Sequence, residues 1–278
     1  MKIGFVDYFL DEWHANNFPE WLTKASNDEV QVAYAYAKID SPKEGGMTTD
    51  EWCAKFNVQR INTIKELVEK SDVIVVLSPD NPEQHEELCQ IPLSSGKPVY
   101  VDKTFAETKE IAERIFAVAK KHNTPCYSAS GLRFAQEYLD VEKGSVKNII
   151  SYGAGRINTY SVHQVEPIIY LMGTNIARVM FTGTDTYQAY VCEFTDGRRA
   201  TVSHHPGWTC PFGMIMDFEG ETTKIINGSS YQENFAADMV RFFKTGIPTV
   251  LPEETITGIA VIEAAQKAEK VPGTWVNI

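Results

Sequence analysis

Asp72-Val73-Ile74-Val75-Val76-Leu77 is an unbroken β-branched and apolar run that stops at Ser78-Pro79. A strand with one wet face alternates apolar and polar side chains, whereas a strand covered on both faces does not. The run therefore predicts a central strand of a parallel sheet with helices on either side. Outward from it, Ile3–Val6 and Val30–Ala37 precede it as shorter strand candidates, and Lys97–Val101 and Thr124–Ser128 follow. The segments between them carry helical spacing: Thr63–Lys70, Pro82–Cys89 and Thr108–His122, the last with an apolar stripe of Ile111, Ile115, Phe116 and Val118. Strands alternating with helices make a Rossmann-like, doubly wound α/β domain over residues 1–130. Its ligands are expected at the carboxyl ends of the strands.

The second half changes character. Asn148–Ile157, Val179–Phe181, Tyr187–Phe194, Arg199–His204, Gly213–Glu219 and Lys224–Asn227 read as strands, with Asp196-Gly197 as a hairpin turn. His163–Met172, Asn234–Lys244 and Glu253–Lys270 read as helices, the last opening after Pro252. Residues 131–278 are thus expected to form an α+β domain on a largely antiparallel sheet, its closing segment free to pack back on the first domain. One face of such a sheet stays open, which predicts a homodimer or homotetramer built on it.

The formal net charge of −11 argues against nucleic acid and anionic membranes as partners, because both need a basic face. Five cysteines, widely spaced and without a CxxC pair, suit free thiols in a reducing cytoplasm. The opening Met1–Asp7 breaks into charge at once, unlike a signal peptide, and no stretch approaches the roughly 18 apolar residues of a membrane span. A cytoplasmic protein with a small-molecule substrate is the expectation.

A dinucleotide fold places GxGxxG after its first strand, where backbone N–H groups approach the pyrophosphate at a helix N-terminus. Here that stretch is Asp7-Tyr8-Phe9-Leu10-Asp11-Glu12, with Asp7, Phe9 and Glu12 where the glycines would fall. The acids could cap the following helix, where carboxylates favour the dipole. They could instead gather a cation through Asp7, Asp11, Glu12 and His14, although the spacing matches no recognised metal site. Glu29 and Asp40 flank the second strand, where a ribose-binding acid would sit, and Lys38 would suit a phosphate.

Several ordered markers resemble the glucose-fructose oxidoreductase / inositol dehydrogenase / MocA family. Ser78-Pro79-Asp80-Asn81-Pro82-Glu83-Gln84-His85 resembles its TP-x-x-x-H turn, and Gly96–Ala106 its GKHV-x-x-EKP-x-A segment. Arg133-Phe134 resembles the end of its N-x-R-F element, Val162–Glu166 with Leu171-Met172-Gly173 its H-x-x-D helix, and Phe242–Pro248 with Thr274-Trp275-Val276 its closing pattern. The resemblance implies NAD(P)-dependent oxidation or reduction of a sugar or polyol carbon. It implies Lys103 and His163 as the catalytic pair. The candidates beside an NAD or NADP cofactor are Phe9, Leu10, Ser78, Pro79, His85 and Asp102, and those beside the substrate are Arg133, Thr159 and His204; His85 could instead support its turn, Arg133 pair with an acid, and His204 end an ordinary strand. Four departures stand out. The glutamate of EKP is Asp102 and its proline is Thr104. The aspartate four residues before the histidine is Thr159, and Glu166 stands where the family has aspartate.

Oxidising an alcohol needs a base for the hydroxyl proton and a cation to hold the oxygen as charge develops. Histidine, with its ordinary pKa near neutrality, suits the first role and lysine the second. Lysine could also be the base if burial lowers its pKa. His204-His205-Pro206-Gly207-Trp208 adds a candidate sugar-stacking ring, though adjacent strand histidines point to opposite faces. Two other readings keep the same scaffold without a dinucleotide: a sugar lyase or isomerase working by proton abstraction, and a binding protein that has lost turnover.

Overall fold

The computed structural model describes residues 1–220 and 223–278, which group into two compact units. Residues 1–129 and 235–251 form the first, and residues 130–234 and 252–278 the second, so neither is continuous in the chain. Among the described residues, no helix is long and apolar enough to cross a membrane.

The first unit is a six-stranded sheet of β1 (Lys2–Asp7), β2 (Gln31–Ala37), β3 (Gln59–Arg60), β4 (Val73–Val76), β5 (Val99–Val101) and β6 (Cys126–Tyr127). Its order is β3-β2-β1-β4-β5-β6, and every pairing is parallel. All four residues of β4 are buried, which is why their sequence could be wholly apolar. Helices α1 (Trp13–Ala25), α2 (Thr49–Phe56), α3 (Ile64–Lys70), α4 (His85–Leu88), α5 (Gln90–Leu93) and α6 (Lys109–Lys121) connect the strands. α2 and β3 escape the periodicity reading because eight and two residues carry little of it. A local signal for α2 was nonetheless present. The Thr48 side chain takes the Glu51 N–H and Glu51 reaches back to the Thr48 N–H, a reciprocal capping box.

Residues 235–251 hold to this unit through aromatic contacts. The Phe235 ring lies 6.0 Å from Phe18 and 5.7 Å from Tyr100, and Phe242 lies 4.7 Å from Tyr127. The Tyr127 hydroxyl donates to Asp238 at 3.0 Å.

In the second unit, β7 (Val146–Ala154), β8 (Ile176–Phe181), β9 (Ala189–Phe194), β10 (Arg199–His205), β11 (Gly213–Phe218), β12 (Thr223–Asn227) and β13 (Trp275–Asn277) form one sheet in the order β12-β11-β7-β10-β9-β8-β13. It is mostly antiparallel, the exception being β7 beside β10, which run parallel because helices rather than a hairpin separate β7 from the strands that follow. α7 (Gln136–Leu139), α8 (Ile157–Tyr160), α9 (Val162–Met172) and α11 (Pro252–Glu269) belong here, while α10 (Tyr231–Thr245) falls mainly in the first unit. Tyr190, Cys192, Ala200, Val202, Met214 and Met216 share one core with Val165, Ile169, Val261 and Ala265 of α9 and α11. The alternate positions face outward, with Ile150 42% and Ile225 71% exposed.

One glycine is dictated by close approach. A Cβ on Gly4 of β1 would lie 2.3 Å from Ser71 Oγ and 2.4 Å from Leu67 Cδ2, where α3 meets the sheet. Gly4→Ala is therefore expected to lower the unfolding free energy by about 2 kcal/mol through overpacking, measured by urea denaturation.

Candidate active site

In the first unit, the polar residues gather at the carboxyl ends of β1, β4 and β5. Asp7 ends β1 and is fully buried. Its Oδ1 accepts the Tyr8 N–H at 2.6 Å and the Ser78 hydroxyl at 2.8 Å, so the side chain fastens β1 to the residues after β4. Ser78 adopts a left-handed φ of 78°, and its Oγ also accepts the Tyr8 N–H at 2.9 Å. Asp7 Oδ2 has no hydrogen-bond partner among the described residues. Burial pushes the Asp7 carboxyl well above the usual range, and the neighbouring Asp102 adds to the shift.

Asp102 follows β5 and is also fully buried. Its Oδ1 accepts the Tyr100 hydroxyl at 3.1 Å and the Lys103 N–H at 2.8 Å, while Oδ2 makes a short contact with His14 Nδ1. Burial would raise this carboxyl, but His14 and Lys103 beside it hold it below the ordinary value. Lys103 is only 7% exposed, and its ammonium lies 3.5 Å from the carbonyl of the buried Pro79. Asp102, Lys103, Ser78 and Pro79 are thus brought to one edge of the sheet. The Lys103–Thr104 peptide is cis.

His85 has a different task. It is fully buried, with Nε2 2.5 Å from the Leu77 carbonyl and Nδ1 3.0 Å from the Phe105 carbonyl. Burial lowers its pKa. The ring ties the end of β4 to the segment after Lys103, which leaves neither nitrogen for a cofactor.

The turn after β1 answers whether a dinucleotide fits. Glu12 is the N-cap of α1, and its carboxylate accepts the backbone N–H groups of His14, at 2.6 Å, and Ala15. These are the donors that a pyrophosphate would use in this fold. Phe9 and Leu10 are buried, at 7% and 2% exposure, in a turn that a glycine backbone would leave open. Burial and the nearby Asp7 and Asp102 push the Glu12 carboxyl well up. As placed, these residues do not fit a dinucleotide's pyrophosphate.

The cation alternative finds no support either, since among the described residues no three acid, His or Cys groups gather for a metal. Asp11 instead accepts the Met47 N–H at 3.1 Å. The polar residues around the second strand are likewise engaged: Lys38 with Glu87 at 2.7 Å, Asp40 with the Thr49 N–H at 2.7 Å, and Glu29 with Lys244.

In the second unit, His163 lies on α9 and its Nδ1 is 2.6 Å from the Ser130 hydroxyl. The Ser130 N–H donates to Glu166 at 2.7 Å, so the serine is positioned by the residue one turn after the histidine. Nothing in the sequence flagged Ser130, which lies 33 residues from His163. Thr159 is exposed on the short helix α8. Tyr160 lies 5.2 Å from the His163 ring and 4.9 Å from Trp208, and Phe212 lies 5.6 Å from His163. Trp208 is 69% exposed, so an aromatic surface flanks the histidine.

Two substrate candidates turn inward. Arg133 is 2% exposed, pairs with Glu254 and lies 5.0 Å from the Tyr170 ring. His204 is 1% exposed, with Nε2 2.8 Å from the Ser161 hydroxyl and Nδ1 3.4 Å from the Gln164 amide. Burial drives its pKa down to about 4, and a neutral, enclosed ring answers to packing rather than to ligand contact.

A parallel sheet of this order, with a buried lysine and paired acids at its carboxyl edge, defines the class of Rossmann-type proteins. Residues 17–130 match the model of an oxidoreductase family with an NAD-binding Rossmann fold. Over residues 17–130 the chain is thus similar to the GFO/IDH/MocA oxidoreductases. No curated protein matches the chain in sequence. Among solved structures it is similar to a probable dehydrogenase from Thermotoga maritima, at 14% identity and TM-score 0.80, covering 100% of this chain and 98% of that one. It is similar to the apo scyllo-inositol dehydrogenase from Lactobacillus casei, at 15% identity and TM-score 0.78, covering 99% and 97%. The UDP-N-acetylglucosamine 3-dehydrogenase GnnA from Acidithiobacillus ferrooxidans matches at 12% identity and TM-score 0.76, covering 98% and 97%. At these identities the likeness is one of fold.

The buried acids predict a pH signature. A carboxyl whose pKa rises on folding binds its proton more tightly in the folded state. The stability it contributes is therefore lost as pH climbs from the ordinary carboxylate range through the raised value. Asp7→Asn removes one such group. Its unfolding free energy relative to the unsubstituted protein should grow with pH across that window and then level off, as read from denaturation at a series of pH values. A difference constant in pH would show that Asp7 does not titrate this way.

Proposed function

We propose that this protein is an oxidoreductase acting on a hydroxyl-bearing carbon of a sugar, a polyol or a related hydroxy compound, with Lys103 and His163 as catalytic groups. The observation that carries the reading is Lys103, a lysine at 7% exposure at the carboxyl end of β5 in a domain matched by an NAD-binding oxidoreductase family. Solved structures of similar fold include a scyllo-inositol dehydrogenase and a UDP-sugar dehydrogenase, which supports a polyhydroxylated substrate. NAD or NADP is what the family would supply as hydride acceptor, and here it would have to be held without the α1 amides that Glu12 occupies.

The chain's own part is the proton chemistry. The Lys103 ammonium stabilises an alcohol oxygen as it gains charge, and a base removes its proton. We assign a base role to His163, whose Nδ1 lies 2.6 Å from the Ser130 hydroxyl. Trp208, Tyr160 and Phe212 offer the apolar face that a sugar ring stacks on. A second reading is favoured by Glu12, which holds the amides a dinucleotide needs: a lyase or isomerase using the same acid–base groups without nicotinamide.

Turnover of sugars and polyols, assayed with and without NAD or NADP, tests the assignment. Lys103→Ala and His163→Ala should each lower kcat by about a hundredfold or more while leaving the folded structure intact by circular dichroism. Retention of full activity by both variants would sink it.

We also propose that the open face of the second sheet, with Ile150 and Ile225 exposed, joins copies of the chain in a homodimer or homotetramer. Light scattering should then give a multiple of 31.2 kDa, and a monomer would refute it.

A further inference from the structure

We infer that the Glu12 carboxylate is an intramolecular occupant of the anion site at the N-terminus of α1, and that it keeps the pyrophosphate of a dinucleotide out of that site. Three observations converge on this. Two N–H groups of the first turn of α1, those of His14 and Ala15, both donate to Glu12, so these donors of the helix N-terminus are already engaged. Glu12 is 2% exposed, so its carboxylate fills the site rather than swinging in solvent above it. Asp7 and Asp102 are both fully buried close by, and Asp7 Oδ2 is left without a hydrogen-bond partner. A bound diphosphate would meet that unpaired oxygen and two further carboxyls.

The arrangement explains how the loop dispenses with its glycines. Glycines in this turn let backbone N–H groups reach an external anion. When the acceptor comes from the chain itself, at the residue just before the helix, the close approach is covalently provided. Phe9 and Leu10 can then fill the space with buried apolar side chains. The inference concerns only this end of the domain and does not rest on the roles given to Lys103 and His163.

The test compares dinucleotide and diphosphate binding across Glu12 variants. Glu12→Ser keeps a short capping hydroxyl but frees the volume of the carboxylate. Glu12→Gln keeps an acceptor in place without charge. Titration calorimetry with NADH, NADPH and inorganic pyrophosphate reads the affinities, and thermal melts confirm that each variant folds. The expected result is binding to the unsubstituted protein at least tenfold weaker than to Glu12→Ser, with Glu12→Gln as weak as the unsubstituted protein. Pyrophosphate should raise the Tm of Glu12→Ser alone.

Equal affinities in the unsubstituted protein and folded Glu12→Ser, whether tight or undetectable, would overturn the inference. So would tight binding by Glu12→Gln, because charge and not occupation would then be the barrier. Loss of activity in Lys103→Ala bears on the catalytic reading alone, so the two failures are distinguishable.

Discussion

The first unit is organised by the need to satisfy carboxylates that have been taken out of water. Asp7, Glu12 and Asp102 are all buried, and an ionised group in such a place is costly unless donors surround it. Each finds donors in a different way. Asp7 takes the Tyr8 N–H and the Ser78 hydroxyl, Glu12 takes the start of α1, and Asp102 takes Tyr100, the Lys103 N–H and His14. These bonds link β1, β4, β5 and α1 at one edge of the sheet.

The same economy divides the charges. Asp102, paired with His14 and beside Lys103, is held ionised, while burial pushes Asp7 and Glu12 toward their neutral forms. Buried acids gathered at the start of α1 are poorly suited to receiving a diphosphate.

In the second unit, the loss of an aspartate at Thr159 does not leave His163 without an orienting group. Ser130 stands at its Nδ1, fixed by Glu166 through its own N–H. The Glu166 side chain reaches the backbone that carries the serine. Arg133 and His204, attractive as isolated polar residues, are committed to Glu254 and to Ser161 and Gln164.

The sequence by itself determined the parallel sheet, through the unbroken apolar run of β4, and the second sheet's outward alternation. Both are local consequences of which faces are buried. It also fixed the absence of glycine after β1, and left the acids there a choice between capping the helix and gathering a cation. It did not contain the short elements α2 and β3 as periodic signals, nor the parallel contact of β7 with β10, since pairing partners lie far apart in the chain. Only the tertiary structure decided that Glu12 alone takes the α1 amides, that Asp11 turns to Met47, and that His85 clamps two carbonyls. The reason is physical: a residue's type limits what it can bond, but burial and the donors that surround it select which bond is made.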